Sequence, residues 1–352
     1  MAKHENLHSA KAAKNDEFYT RYEDIEKELY NYRDFFEGKT VLCNCDDPLE
    51  SNFTKYFILN FRFLKLKKLI CTFYDINGKA AYVFVYEGQD INGDGVINGQ
   101  DIDEMVKMQA FRHALVDDYG FDFENKEESW KKGLYGSGDF RSQHCIEYLK
   151  MADVVVTNPP FSLFREYVAQ LMEYGKKFII IGNSNSISYK DIFTAIKENK
   201  LWLGINSVHQ FRKPDGNMQT FGNICWFTNV EHKKRNTPID LYKSYSEENY
   251  PNYYNFNAIE VGDVKSIPSD YNGIMGVPIT FLGKYCPKQF EIIGLGIANL
   301  GIKCGVRPYE PEHKEYRKNV QKRGTVDGDL YMLDSEGHPV VPYARVLIRK
   351  HQ

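Results

Sequence analysis

The chain has 352 residues, long enough for one large domain or two with a sizeable core. Its 45 Lys and Arg against 48 Asp and Glu leave a formal charge of −3, which excludes a uniformly basic polyanion binder but leaves room for a local basic face. No apolar run approaches the ~20 residues that span a bilayer. The N-terminus lacks a signal-peptide core and the cysteines are scattered as reduced thiols would be, so a soluble, cytoplasmic chain with no membrane partner is expected.

Residues 1–15 are polar and Lys-rich, a loose arm or frayed helix. After Asp16-Glu17-Phe18-Tyr19-Thr20, the residues Ile25, Leu29, Tyr32, Phe35 and Phe36 recur at near-helical spacing. Thr20 with Glu23 predicts a capping box at the start of that helix, and Phe18 and Tyr19 fit a hydrophobic staple. Gly38-Lys39 then launches the β run Thr40 to Cys45, which Asp46-Asp47-Pro48 breaks ahead of a helix-like Phe53 to Phe57. Strand, acidic turn and helix form the opening unit of a doubly wound sheet, where a cofactor binds. The turn has no glycine-rich loop, and Asn44, Asp46, Asp47, Pro48 and Ser51 are its candidate cofactor contacts. Cys43 and Cys45 lack a partner pair at zinc spacing and read as small strand residues.

Leu69 to Tyr74 predicts the second strand. Asp75 after it either holds ribose hydroxyls or serves the turn before Asn77-Gly78, a hairpin signal leading into a strand from Ala80 to Tyr86. Next comes Asp90 to Asp101. Asp90, Asn92, Asp94, Asn98 and Asp101 fall at loop positions 1, 3, 5, 9 and 12, with Gly95 at position 6 and the Val96 carbonyl at position 7. Asp101 stands where an EF-hand has a longer Glu, so the loop resembles a dockerin-type calcium loop. A structural calcium bracing an insertion of about residues 76–120, followed by a helix over 102–116, is one expectation. A metal-free Asn/Asp/Gly-rich hairpin is the other.

Gly138-Asp139-Phe140-Arg141 precedes a helix ending near Lys150. Val154-Val155-Val156-Thr157 then stops at Asn158-Pro159-Pro160-Phe161, a buried strand ending in a turn that two prolines stiffen. Such a turn can simply end a strand. It can also aim the Asn158 side-chain carbonyl and the Thr157 or Pro159 backbone carbonyl into the ligand crevice, with the Phe161 ring beside them. Acceptors there draw the N–H bonds of an exocyclic amine out of the ring plane and free its lone pair, while the ring holds the base.

Helices over 163–174 and 189–199 around a strand at Phe178 to Asn183 continue the alternation, so residues 1–230 read as one catalytic domain. Phe221 to Asn229 reads as its closing hairpin, where Phe221 or Trp226 is either a second aromatic for the base or core. From Glu231 the chain turns basic and Tyr-rich. Arg307, Lys314, Arg317, Lys318, Lys322, Arg323, Arg345, Arg349 and Lys350, interleaved with Tyr309, Tyr316 and Tyr343, make residues 231–352 the candidate DNA target-recognition region.

Asn158-Pro159-Pro160-Phe161 resembles the catalytic motif of amino-methylating, S-adenosylmethionine-dependent methyltransferases. Asp16-Glu17-Phe18-Tyr19-Thr20 is similar to their N-terminal cofactor motif, and Gly138-Asp139-Phe140 to the segment that meets the cofactor's adenine. With Val41 to Pro48, Gly276 to Leu282 and Gln289 to Gly294, the likeness to EcoRI-type adenine-specific DNA methyltransferases extends over nearly the whole chain. It implies an α/β, Rossmann-like class I methyltransferase sheet with a C-terminal recognition region. It also implies S-adenosylmethionine as cofactor, duplex DNA as partner, and methylation of a flipped adenine at N6 in a restriction-modification setting. In that resemblance Phe18, Tyr19 and Thr20 lie near the methionine part of the cofactor, and the Asp139 carboxylate accepts from its adenine amine beside Phe140. Two other readings stay open: a methyltransferase for RNA adenine or a protein glutamine amide, and a non-catalytic, calcium-organised nucleic-acid-binding protein. The recognition sequence and oligomeric state, a monomer included, are not legible.

Overall fold

The computed structural model describes residues 19–45, 48, 50–72, 82–107, 112–114, 138–213 and 216–351. They group into two compact units, one running up to Ser186 and including Leu203–Glu231, the other made of Ile187–Trp202 and the residues from His232 onward. The expected contacts Phe18, Asp46, Asp47 and Asp75 lie outside the described residues. Among the described residues no helix is long and apolar enough to cross a membrane.

The strands of the first unit are β1 (Tyr19–Thr20), β2 (Thr40–Cys43), β3 (Lys68–Thr72), β4 (Tyr82–Tyr86), β5 (Arg112–Ala114), β6 (Val154–Thr157), β7 (Lys177–Asn183), β8 (Trp202–Arg212) and β9 (Met218–Thr228). Its helices are α1 (Tyr22–Leu29), α2 (Asn52–Leu59), α3 (Gly99–Lys107), α4 (Gln143–Met151) and α5 (Phe164–Glu173). Among the described residues the strands form one sheet in the order β1-β8-β9-β7-β6-β2-β3-β4-β5. Every residue of β2 and β6 is buried, as the β-branched runs require of parallel strands covered on both faces. β3, β2, β6 and β7 run parallel, with Val41 opposite Val154 and Leu42 opposite Val155. From β2 the chain steps to β3 on one side and later to β6 on the other. The C-terminal ends of β2 and β6 therefore flank the switch point where open α/β sheets bind ligands.

Two local expectations change and a third holds. Thr20 is not a helix cap: it pairs with Phe211 in β8, and the N-cap of α1 is Arg21, whose side chain makes no cap bond. The helix expected over 102–116 is α3, which begins at Gly99, and Arg112–Ala114 instead form an edge strand paired with β4. β4 is antiparallel to β3, with Leu69 opposite Tyr86, which is the hairpin pairing that Asn77-Gly78 predicts.

On α1, Ile25 and Leu29 face the core together with the fully buried Glu28. That carboxylate accepts from Ile205 N at 2.8 Å, Asn206 N at 2.8 Å, Asn206 Nδ2 at 2.9 Å and Tyr32 Oη at 2.9 Å, tying α1 to β8. Gly204 is needed there, because a Cβ would collide with the Glu28 carboxylate.

The second unit holds a four-stranded sheet in the order β10-β11-β15-β12, from β10 (Ile259–Glu260), β11 (Met275–Pro278), β12 (Phe290–Leu295) and β15 (Arg345–Lys350). α6 (Lys190–Lys197) belongs to this unit, burying Ile192, Phe193 and Ile196 while Lys197 Nζ donates to the Ile293 carbonyl at 2.7 Å. α7 (Ala298–Lys303) and α8 (Pro311–Asn319) follow, with the small hairpin β13 (Met332–Leu333) and β14 (Pro339–Val340). Glu260 ties β10 to β15: it accepts from Arg345 Nη2 at 2.7 Å and from the Tyr253 hydroxyl.

Candidate active site

The Asn158 to Phe161 turn follows directly from β6. Thr157 is the last strand residue, Asn158 and Pro159 are buried, and Pro160 carries φ −56° and ψ 123°, an extended conformation that leads into a single 3₁₀ turn at Phe161–Leu163. Leu163 N closes that turn on the Pro160 carbonyl at 3.0 Å, and α5 begins at the next residue. α5 is held by Phe164, Tyr167, Val168 and Leu171, its buried i, i+3, i+4 and i+7 positions. The turn is thus clamped between a core strand and a core helix.

The Phe161 ring is half-buried and lies edge-on to Phe211, centroids 6.5 Å apart at 84°. Phe211 meets the half-buried Phe221 at 5.6 Å. Of the two aromatics proposed on the closing hairpin, Phe221 therefore shares a cluster with Phe161. Trp226 is fully buried and packs edge-on against Phe53 at 6.0 Å, so it is core.

The pairing of β1 with β8 brings Tyr19 and Thr20 alongside Phe211 and Arg212. The Arg212 guanidinium lies 5.9 Å from the Tyr19 ring, and the Thr20 carbonyl accepts from Asn52 Nδ2 at 2.7 Å. At the end of β2, Asn44 is buried, and its Oδ1 accepts from the Tyr167 hydroxyl and from Cys45 Sγ at 3.7 Å. Desolvation pushes the Tyr167 phenol well above its ordinary pKa, which keeps it a neutral O–H donor. Tyr167 also touches Phe140 edge to face, at 5.0 Å and 80°. Pro48 is buried, and Ser51 caps α2 by accepting from Phe53 N at 3.2 Å.

Asp139 follows Gly138, whose φ of +74° favours glycine. Its carboxylate accepts from Arg141 N at 2.9 Å, Nε at 2.8 Å and Nη2 at 2.6 Å, a forked ion pair that raises the guanidinium pKa further. The sequence reading assigned Asp139 to the cofactor's amine without this internal donor.

The residues present suit S-adenosylmethionine. Thr20 Oγ1 and Thr157 Oγ1 are buried with no hydrogen-bond partner among the described residues, so the fold holds polar atoms that it does not itself satisfy. Asn44 retains amide N–H groups, and the buried Phe140 ring adds an apolar, aromatic surface beside Asp139.

The Asp90 to Asp101 loop is closed by its own backbone. Asp90 accepts from Gly93 N at 2.8 Å and Gly95 N at 2.6 Å, Asn92 Oδ1 from Asp94 N at 2.9 Å, and Asp94 Oδ1 from Val96 N at 2.7 Å. Asn98 Oδ1 accepts from Gln100 N at 2.7 Å, and the buried Asp101 from Ile91 N at 3.0 Å and Asn98 N at 2.7 Å. Among the described residues no group of three or more His, Cys, Asp or Glu side chains could hold a metal. The calcium expectation therefore finds no support, and the Asx-turn hydrogen bonds account for the loop's shape.

Residues 6–351 match the profile of a family described as adenine-specific methyltransferase EcoRI. The chain belongs to this family. Like the other members it resembles, this EcoRI-type methyltransferase is matched along most of its length. The type II methyltransferase M.EcoRI of Escherichia coli is 44% identical, over 82% of this chain and 88% of that protein. M.MgeORF184P of Mycoplasma genitalium is 36% identical over 99% of each, and M.MpnI of Mycoplasma pneumoniae is 37% identical over 81% of this chain and 83% of its own. No solved structure matches the chain significantly.

In the second unit of this methyltransferase, several basic residues offered for DNA have acidic partners within the fold. Arg345 is paired with Glu260, Arg349 with Glu291 at 3.4 Å, Lys314 with Asp327 at 3.0 Å, and Arg317 is nearly buried. Tyr309 is stacked on Tyr331 at 4.4 Å. Lys318, Lys322 and Arg323 are exposed, and Tyr343 is 93% exposed. Two residues that touch the candidate cofactor contacts are not singled out by the sequence, Arg141 on Asp139 and Tyr167 on Asn44. A hydroxyl on the buried stripe of a predicted helix was the available sign of Tyr167.

Proposed function

We propose that the chain is a site-specific DNA methyltransferase that moves a methyl group from S-adenosylmethionine to N6 of an adenine flipped out of duplex DNA. The observation that carries this reading is the position of Asn158-Pro159-Pro160-Phe161 at the C-terminal end of β6, beside the end of β2, where the strand order reverses. Family membership supports adenine as the base, and the relatives' description as type II methyltransferases supports DNA as the substrate.

S-adenosylmethionine, when bound, supplies an electrophilic methyl on a sulfonium. This chain's own groups do the rest. Phe161 offers a half-buried ring face to the extruded base, and Phe221, two rings along the same cluster, is placed to limit its movement. The Asn158 side-chain carbonyl, with the Pro159 or Thr157 carbonyl, accepts the amine hydrogens and meets the positive charge that grows on N6. No covalent enzyme intermediate is required, and catalysis rests on positioning. Asn44, Phe140, Asp139, Tyr19 and Thr20 are the described residues proposed to hold the cofactor. The second unit, with exposed Lys318, Lys322, Arg323 and Tyr343, is proposed to meet the duplex.

The test is to incubate the purified chain with methyl-labelled S-adenosylmethionine and, in parallel, duplex DNA, RNA and protein acceptors. Label should enter duplex DNA as N6-methyladenine at one sequence. Label in RNA or protein alone would overturn the reading.

A further inference from the structure

One buried side chain touches two segments of the proposed cofactor site that are far apart in the chain. Tyr167 is the fourth residue of α5, about one turn into the helix that follows the Asn158 to Phe161 turn, and it is fully buried. Its hydroxyl donates to Oδ1 of Asn44 at the end of β2, 123 residues away in sequence, and its ring meets Phe140 edge to face at 5.0 Å. The hydroxyl also fixes which way the Asn44 amide faces. Tyr167 Oη and Cys45 Sγ both donate to Oδ1 of Asn44, and with the oxygen held there the NH₂ group points the opposite way.

We propose that Tyr167 is a positioning residue for S-adenosylmethionine, orienting Asn44 to donate through Nδ2 to an acceptor on the cofactor while backing the Phe140 ring. The inference rests on the methyltransferase reading and deepens it. It also gives the catalytic turn and the cofactor site a common support, since Asn158 to Phe161 and Tyr167 belong to one continuous turn and helix. A side chain that only filled the core would be replaceable by phenylalanine, which keeps the ring and the Phe140 contact.

Calorimetric titration of the full chain with S-adenosylmethionine tests this, using the wild type, Tyr167→Phe, Asn44→Ala, Asn44→Asp and the double variant Tyr167→Phe/Asn44→Ala. Tyr167→Phe should weaken binding about tenfold, the loss expected when a hydrogen bond no longer orients a donor, with kcat at saturating cofactor within about threefold of wild type. Asn44→Asp keeps an acceptor for the Tyr167 hydroxyl but loses the donor, so it should weaken binding by a similar factor. In the Asn44→Ala background, Tyr167→Phe should cost no more than about twofold, because the two residues act as one unit. Overturning results are Tyr167→Phe binding within about twofold of wild type, Asn44→Asp binding like wild type, or losses that simply multiply in the double variant. A wild-type chain that does not bind S-adenosylmethionine would instead overturn the methyltransferase reading itself, and this proposal with it.

Discussion

Asn158→Ala probes the chemistry most directly, because truncation removes the side-chain acceptor and little else. Asn158 is 8% exposed and follows the last residue of β6, so the ladder from Val154–Lys177 to Thr157–Ile180 is untouched. The stability cost should stay within about 1–2 kcal/mol, as for loss of one polar contact. The rate cost should be larger. An acceptor aimed at charge that develops only in the transition state is worth about 10²–10³ in kcat, or roughly 3–4 kcal/mol at about 1.4 kcal/mol per decade. Binding of cofactor and DNA depends on other groups, so both KM values should stay within about threefold. Single-turnover methyl transfer to duplex DNA at saturating cofactor reads the effect, with thermal unfolding as the control. Asn158→Asp keeps an acceptor and should recover part of the loss. A folded Asn158→Ala protein with kcat within about threefold of wild type would refute the assignment.

Further outcomes concern the base-facing ring, the buried Glu28 carboxylate and the Asp90 to Asp101 loop. Phe161→Ala should weaken binding of a duplex carrying a fluorescent adenine analogue at the target base by about 1–3 kcal/mol, the worth of one stacking face. Trp226→Phe should lower stability without that loss, since Trp226 is core. Glu28→Gln should destabilise the chain by about 2–4 kcal/mol in urea unfolding, because the amide turns an NH₂ group toward the buried Ile205 or Asn206 N–H. Desolvation holds the folded Glu28 pKa above its ordinary 4.5, so its contribution is full below that value and declines as pH rises through the raised one. The variant should lack this decline, and an unchanged pH profile would show that Glu28 is not its source. Calcium or a chelator should leave the thermal midpoint within about 1 °C, since an ion that binds only the folded loop would raise it. Asp90→Ala should cost about 1–2 kcal/mol by removing the acceptor for Gly93 and Gly95 N–H. A midpoint several degrees higher in calcium would restore the metal reading.

Much of the frame was legible because it rests on local pattern. The runs at Thr40, Val154 and Phe178 are β-branched or apolar at every position, and only strands covered on both faces bury such runs. Proline chemistry located the end of the Val154–Thr157 strand to the residue. Local rules failed at Thr20, where the cap-like pattern was real but pairing with Phe211 satisfied the backbone first. They failed again at Arg112–Ala114, where a free strand edge recruited residues whose pattern did not identify them as a strand. At Asp90 to Asp101 the metal spacing and the Asx-turn spacing are the same sequence. Only the fold shows the carboxylates turned to backbone N–H groups.

By itself the sequence determined the family, through the order of its motifs: Asp16 to Thr20, the strand from Thr40 with its acidic turn, Gly138-Asp139-Phe140, then Asn158-Pro159-Pro160-Phe161. Tertiary structure alone decided which side chains share a contact. It placed Tyr167 on Asn44, Phe161 and Phe221 on Phe211, Arg141 across Asp139, and Arg345 on Glu260. The reason is physical. Periodicity and turn chemistry act over a few residues, whereas a hydrogen bond across 123 residues exists only after the core has packed and brought its two ends within reach.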